Sequence, residues 1–324
     1  MVGLYSPGFY IYSLPGGTKM ITAMEETLKK GKEVLHLGKV ATYIPELGKA
    51  NPNALAIASC TLDGQITQTG DVGTKASIQS ISKIASLALA ISELGEEKVF
   101  SKVGVDPTAD PFNSIMRLEM RKPHRPQNPL INAGAIVVLS ILPYPDSTSR
   151  YLAVLDLVRK LCGNSEIVAN EKVYLSEKAT SDRNRSLAYF LRSVGAMDGD
   201  IEDILDSYFH QCGIECTVKD LAVMGATLAN DGTNPITQEK VLSPRVCRLI
   251  RALMATCGLY DGSGEFAVRV GIPAKSGVGG GIVAAVPGKL GLATLGPALD
   301  DKGNSVGGIK AMEYLSEKLK LRVL

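Results

Sequence analysis

Tryptophan is absent from this chain of 324 residues, and aromatic residues make up only 5% of it. So few aromatics leave little material for base-stacking platforms or for the anchors of protein–protein hot spots. An excess of one charge is also missing. Thirty-five Lys and Arg stand against 33 Asp and Glu, a net charge of +2, which excludes the strong field that nucleic acid or an anionic membrane surface attracts. No run of 18 apolar residues occurs, so no transmembrane helix is expected. There are three histidines, His36, His124 and His210, with no His-x-x-x-His, and none of the six cysteines forms a Cys-x-x-Cys pair. A metal site is therefore not expected, and the cysteines read as reduced, mostly buried thiols of a cytoplasmic protein. Cys212 and Cys216, four apart, would share a face if one helix ran through both.

What is plentiful is glycine, 33 residues, in a chain that is 45% hydrophobic and 21% charged. This is ordinary globular composition with an excess of the residue that lets backbone approach a ligand closely. Residues 1–19 contain an apolar run without a basic start and with prolines at 7 and 15, a poor signal peptide that reads as an N-terminal extension. Residues 20–37 carry the pattern of an amphipathic helix, and 54–60 and 65–72 that of two strands joined at Leu62-Asp-Gly64. From 80 to 255 the period is helical, with segments at 81–95, 130–142, 148–163, 184–195, 200–213, 217–232 and 243–258, several of them ending at glycine. Beyond 265 it returns to strands at 266–271, 272–278, 280–287 and 289–296, followed by a final helix at 305–321. Strands near both ends around a helical middle predict a discontinuous α/β sheet domain, 20–79 with 256–324, and an inserted helical domain, 80–255, with the active site at their interface.

Ser80 and Lys83 carry the chemistry. They are one helical turn apart on a segment that is apolar nearly all round. A lysine buried there loses part of its affinity for the proton and becomes a base for the serine hydroxyl, while the helix start offers N–H groups to an oxyanion. Lys275-Ser276-Gly277, on a glycine-rich strand, is placed to run along the pocket edge, with Lys275 supporting the electrostatics and a backbone N–H completing the oxyanion hole. Ser-x-x-Lys followed, after a helical insert, by Lys-Ser-Gly is the order found in Ser-x-x-Lys acyl-transfer enzymes.

Seven collinear stretches make the likeness specific. They are Tyr43-Ile-Pro-Glu-Leu47, Gln79-Ser80-Ile-Ser-Lys83, Asn128-Pro-Leu-Ile-Asn132-Ala-Gly-Ala-Ile136, Ser176-Glu177-Lys-Ala-Thr-Ser-Asp-Arg-Asn184, Asp206-Ser-Tyr208-Phe209, Cys257-Gly-Leu-Tyr260-Asp261 and Pro273-Ala-Lys275-Ser276-Gly277-Val278. From about 20 to 320 the chain resembles the serine-dependent glutaminase family, on the β-lactamase and penicillin-binding-protein fold. The Ser-Asp-Asn triplet of true β-lactamases is absent, since Ser181-Asp-Arg-Asn184 has an extra residue.

The resemblance implies a mixed α/β fold with an antiparallel sheet and an inserted helical domain. It implies Ser80 as nucleophile and Lys83 as its activating partner, with Tyr208 and Tyr260 lining the pocket and assisting proton transfer. The backbone N–H groups of Ser80 and Val278 would form the oxyanion hole. Tyr43, Gln79, Asn132, Glu177, Asn184 and Tyr260 would hold the amino acid. The substrate implied is L-glutamine, with no cofactor, no nucleic-acid or membrane partner, and a homodimer or homotetramer as assembly. Which of Lys83, Tyr208 and Tyr260 takes the serine proton stays open. So do two other readings, a β-lactamase or D-Ala-D-Ala peptidase and a non-catalytic amino-acid-binding homologue.

Overall fold

The computed structural model describes residues 17–120 and 122–324. The expected extension therefore lies outside the described residues over 1–16, and the first helix, α1 (Gly17–Lys32), starts within its last three positions. The hairpin follows as β1 (Ala56–Thr61) and β2 (Ile66–Gly70), and a short strand β3 (Lys75–Ser77) leads into the helical part. That part holds α2 (Ser82–Leu94), α3 (Glu96–Lys102), α4 (Met116–Met120), α5 (Asn132–Ser140) and α6 (Ser147–Cys162). It continues through α7 (Glu171–Thr180), α8 (Asp182–Ser193), α9 (Ile201–Cys212), strand β4 (Glu215–Thr217), α10 (Val218–Ala229) and α11 (Pro244–Cys257). The chain closes with α12 (Ser263–Arg269), β5 (Ala274–Ser276), β6 (Gly281–Val286), β7 (Leu290–Leu295) and α13 (Val306–Lys318).

Strands from the two ends of the chain form one antiparallel sheet in the order β2-β1-β7-β6-β5, with Ala56 opposite Leu295 and Ser276 opposite Ile282. The sheet is covered on both faces, and its side chains sort with the two-residue period of a strand. Ala56, Ala58, Cys60, Val283, Ala285, Ala293 and Leu295 face the helical part, where they join its core. Ile57, Ile282, Ala284, Val286, Leu290 and Leu292 pack on the other side, against α1 and α13. On the inner face α10 lies against β6 and β7. The approach is closed by glycine: a Cβ on Gly291 would stand 2.0 Å from the Ala226 nitrogen, and one on Gly225 2.4 Å from the Ala284 oxygen.

Two expectations are corrected. Residues 266–271 are not a strand: Phe266 and Val270 are buried four apart while Val268 is 76% exposed, and the segment belongs largely to helix α12. Cys212 and Cys216 do not share a helix, because α9 ends at Cys212 and Cys216 lies on β4. All six cysteines are free and buried.

Candidate active site

Strand β3 pairs with β4, Ser77 opposite Glu215, and delivers the chain to a tight 3-10 turn, Gln79–Ile81, just before α2. Gln79 enters it with φ 48°, a left-handed conformation that is strained for a side chain of this kind. Ser80 lies in the turn and Lys83 in the first turn of α2, so the helical spacing read from the sequence is met by a 3-10 turn running into an α-helix. Lys83 is fully buried. Its Nζ donates to Asn132 Oδ1 at 2.7 Å and to the Leu130 carbonyl at 3.4 Å.

Asn132 opens α5, presented there by Asn128, whose Oδ1 accepts from the Leu130 and Ile131 amides. Its Nδ2 donates to Asn184 Oδ1 of α8 at 2.9 Å. Glu177 on α7 is 4% exposed and accepts from Gln79 Nε2 at 3.4 Å. Tyr208 comes from α9. Tyr260 follows α11 in a second strained turn, φ 56°. Its hydroxyl donates to the Ser276 carbonyl at 3.4 Å.

Beyond β5 the chain makes a glycine turn that brings Val278 to the cleft. A Cβ on Gly277 would stand 2.3 Å from the Ile78 oxygen, so only glycine lets this turn lie against the backbone that leads to Ser80. The Val278 amide has no hydrogen-bond partner among the described residues. Lys275 lies behind this wall: it is fully buried, donates to the Gly258 and Ser276 carbonyls at 2.9 and 2.6 Å, and sits 4.4 Å from the Tyr260 ring centre.

Tyr43, Gln79, Ser80, Asn132, Glu177, Asn184, Tyr208 and Val278 line one cleft. Tyr43 stands at its rim, 54% exposed. Phe112, Asn113, Arg183 and Cys212 share the lining and had no sequence assignment. Two carried a signal. Cys212 is one helical turn from Tyr208, and Arg183, whose Nε donates to the Asn113 carbonyl at 2.9 Å, is the extra residue of Ser181-Asp-Arg-Asn184.

Burial sets the electrostatics. It pulls Lys83 down to about 8, against the opposing charge of Glu177. It pushes Glu177 up to about 7, opposed by hydrogen bonds from Gln79 and Cys212 and by the Lys83 charge. Tyr208 and Tyr260 are pushed up by burial and stay neutral phenols at physiological pH. Lys275 is driven well below its usual range by burial and then by Lys83. Three residues after Ser80 there is thus a buried lysine, tied to Asn132 of the cleft lining, whose affinity for its proton is lowered to about 8, and the same lining holds a buried carboxylate, Glu177. Among the described residues no group of three or more His, Cys, Asp and Glu side chains is placed to hold a metal ion.

An antiparallel sheet built from both chain ends, a Ser-x-x-Lys pair at the base of a buried helix and a Lys-Ser-Gly strand beside it define the β-lactamase-like hydrolase class. Within that class the glutaminase family model matches residues 38–324, and the chain belongs to the glutaminase family. It is 52% identical over 300 residues to the glutaminase of Clostridium botulinum strain Loch Maree (type A3), covering 93% of this chain and 98% of that one. A Bacillus glutaminase crystallised in the presence of 4.3 M NaCl superposes with a TM-score of 0.88 at 35% identity, over 94% of this chain and all of that one. A second structure, at TM-score 0.85 and 34% identity over 94% of this chain and all of that one, is the covalent complex between the Bacillus subtilis glutaminase YbgJ and 5-oxo-L-norleucine, formed by reaction with 6-diazo-5-oxo-L-norleucine.

Proposed function

We propose that the cleft hydrolyses L-glutamine to L-glutamate and ammonia through an acyl-enzyme on Ser80. The observation that carries this is Ser80 in one cleft lining with Asn132, buried Glu177, Asn184, Tyr208 and Val278, three residues before a buried Lys83. The covalent norleucine complex of a relative supports the same reading, since 5-oxo-L-norleucine shares the amino-acid end and chain length of glutamine.

In the first step Ser80 Oγ bonds to the side-chain amide carbon, and its proton passes to the Lys83–Tyr260–Tyr208 group. The oxyanion is received by the Ser80 and Val278 amides, each worth about 3 kcal/mol at the transition state. The C–N bond then breaks, the nitrogen takes up that proton, and ammonia leaves. In the second step water adds to the ester, the same groups return a proton to Ser80 Oγ, and glutamate is released.

Glu177 accepts the α-ammonium of the substrate. Asn132, Asn184, Gln79 and the phenols of Tyr43 and Tyr260 provide neutral donors for its carboxylate and amide. A site built to bond both ends of an amino acid rejects analogues that lack one by about 10⁴-fold.

The site lies where the helical domain, 80–255, meets the sheet domain, 20–79 with 256–324. A cytoplasmic location is supported by six free, buried thiols, and a homodimer or homotetramer by the family resemblance. The test is ammonia release from glutamine, asparagine and a β-lactam in parallel. Release from glutamine, lost by about 10⁴-fold or more in Ser80→Ala with the melting temperature kept, supports the reading. A stable β-lactam adduct on Ser80, or glutamine binding without release, overturns it.

A further inference from the structure

The motif Asp206-Ser-Tyr208-Phe209 supplies Tyr208 to the reaction above and leaves its first residue, Asp206, without a part. Asp206 lies on α9, and its Oδ1 gathers two side chains of α7. Tyr174 donates its hydroxyl to that oxygen at 2.7 Å, and Lys178 its Nζ at 2.5 Å. Lys178 also donates to the Tyr174 hydroxyl at 3.0 Å, which closes a triangle across the two helices. His210, one turn after Asp206 on α9, stacks on the Tyr174 ring, with centres 3.5 Å apart and planes 15° from parallel. Its Nδ1 stands 3.1 Å from the Asp206 carbonyl oxygen.

Helix α7 carries Glu177, and little apolar burial holds it in place. Val173 and Tyr174 are its buried apolar side chains, while Leu175 is half-exposed. Polar ties therefore fix where the helix lies and how it is turned about its axis. Its start is tied by Asn170, whose Nδ2 donates to Glu215 at 2.9 Å. The triangle on Asp206 ties the rest. Tyr174 stands three residues before Glu177, so both lie on one face of the helix, and what anchors the phenol anchors the carboxylate.

We propose that Asp206 is a positioning residue for the reaction above, holding Tyr174 and Lys178 so that α7 presents Glu177 to the cleft at a fixed distance from Tyr208 of α9. The inference rests on the reading of Glu177 as the acceptor of the substrate's ammonium. Asp206 does not line the cleft, so it acts through the helix it holds. Both donors come from the helix of Glu177 and the acceptor from the helix of Tyr208. One carboxylate thus sets the spacing of two walls of the cleft. The Lys178 side chain is 43% exposed, and an ion pair so open to water adds little to stability. Its loss is therefore felt in geometry more than in melting temperature.

The experiment is KM and kcat for L-glutamine by ammonia release, with a melting curve, for the wild-type chain, Asp206→Ala, Asp206→Asn, Arg150→Met, Glu177→Gln and the Asp206→Ala, Glu177→Gln double variant. Arg150 ties α9 to α6 through Asp203 at 3.1 Å and Ser207 at 3.2 Å, with no hydrogen bond to α7 among the described residues. It gauges what a lost polar tie on α9 does by itself. In Asp206→Ala, KM is expected to rise about tenfold, with kcat changed less, a coupling usual within one hydrogen-bond network. Asp206→Asn, which keeps an oxygen for Tyr174, restores KM part of the way. Arg150→Met should melt lower and leave KM within about twofold. With Glu177→Gln already in place, Asp206→Ala should add no further rise, because the carboxylate it positions is gone. Should Glu177→Gln turn over too slowly for a KM, the same comparison is made on the calorimetric Kd of L-glutamate.

An Asp206→Ala variant whose KM stays near the wild-type value, or rises only as far as that of Arg150→Met, overturns the proposal and leaves Asp206 a structural tie. So does an undiminished second rise on top of Glu177→Gln. Asp206→Asn carries the same test should the alanine variant fold poorly. Glu177→Gln by itself tests the underlying reading separately: a KM it leaves unchanged removes Glu177 as the ammonium acceptor, whatever Asp206 does.

Discussion

At the residue scale the cleft depends on groups held away from their comfortable states. Gln79 and Tyr260 are two of the five non-glycine residues with positive φ among the described residues, and Gln79 immediately precedes Ser80. Such conformations cost of order 1–3 kcal/mol each and persist where surrounding structure imposes them. Burial does the same to charge. With Lys83 at about 8 and Glu177 at about 7, the proposed reaction calls for an ionised carboxylate and, with Lys83 as the acceptor of the serine proton, for a free amine. The kcat/KM profile should therefore rise through pH 7 to 8 and collapse on the acid side, and Lys83→Ala should remove the upper step of that rise.

Stability carries the opposite sign at Glu177. The folded state keeps this proton up to about pH 7, the unfolded state only to about 4.5, the ordinary value of a glutamate. The stability that the protonated form contributes is fully present below 4.5 and is lost as pH rises through 7. At pH 8 the ionised carboxylate thus costs the fold about 3 kcal/mol. Glu177→Gln should melt higher than wild type at pH 8, by about 5 °C, and lose that advantage near pH 5. An unchanged melting temperature at pH 8 would contradict it.

At the scale of elements, what matters is how turns aim what strands and helices hold. The turn after β5 lies on the Ile78 backbone because Gly277 has no side chain to hold it off. Gly277→Ala should keep the fold, push the Val278 amide outward and lower kcat by about 10²-fold, measured by ammonia release together with a melting curve. Helix α7 shows where the sequence pattern was too faint. Its apolar residues Val173, Tyr174 and Leu175 form no helical stripe, and Leu175 is 52% exposed. What starts it is Asn170, whose side chain caps the Lys172 and Val173 amides. Glu177 was nonetheless singled out by the family resemblance of its motif, so a cleft-lining residue was legible on an element that was not. The α12 error has the reverse cause: alternating Phe266, Val268 and Val270 suit a strand, and only packing exposes Val268 and buries the pair four apart.

At the scale of the whole molecule, sheet and helices share one core. Ala56, Ala58, Cys60, Val283, Ala285, Ala293 and Leu295 of the sheet join residues of α2, α5, α6, α9, α10 and α11 in a single buried cluster. The two domains of the proposed division are thus not expected to unfold separately. Calorimetry should give one transition, and residues 80–255 expressed alone should lack cooperative melting; two resolved transitions would count against a shared core.

Composition, period and spacing pointed to the Ser-x-x-Lys chemistry, the two-ended sheet and the helical middle, because these are carried by local pattern, while the other expected cleft residues came from the family resemblance of short motifs whose order survives in the chain. Only the tertiary structure decided which charges are desolvated, that Lys83 is tethered to Asn132, and that Ser80, Asn132, Glu177, Asn184 and Tyr208 line one cleft. Those are properties of side chains brought together from α2, α5, α7, α9 and two strained turns. Burial and hydrogen bonding are set by neighbours in space, which no run of adjacent residues specifies.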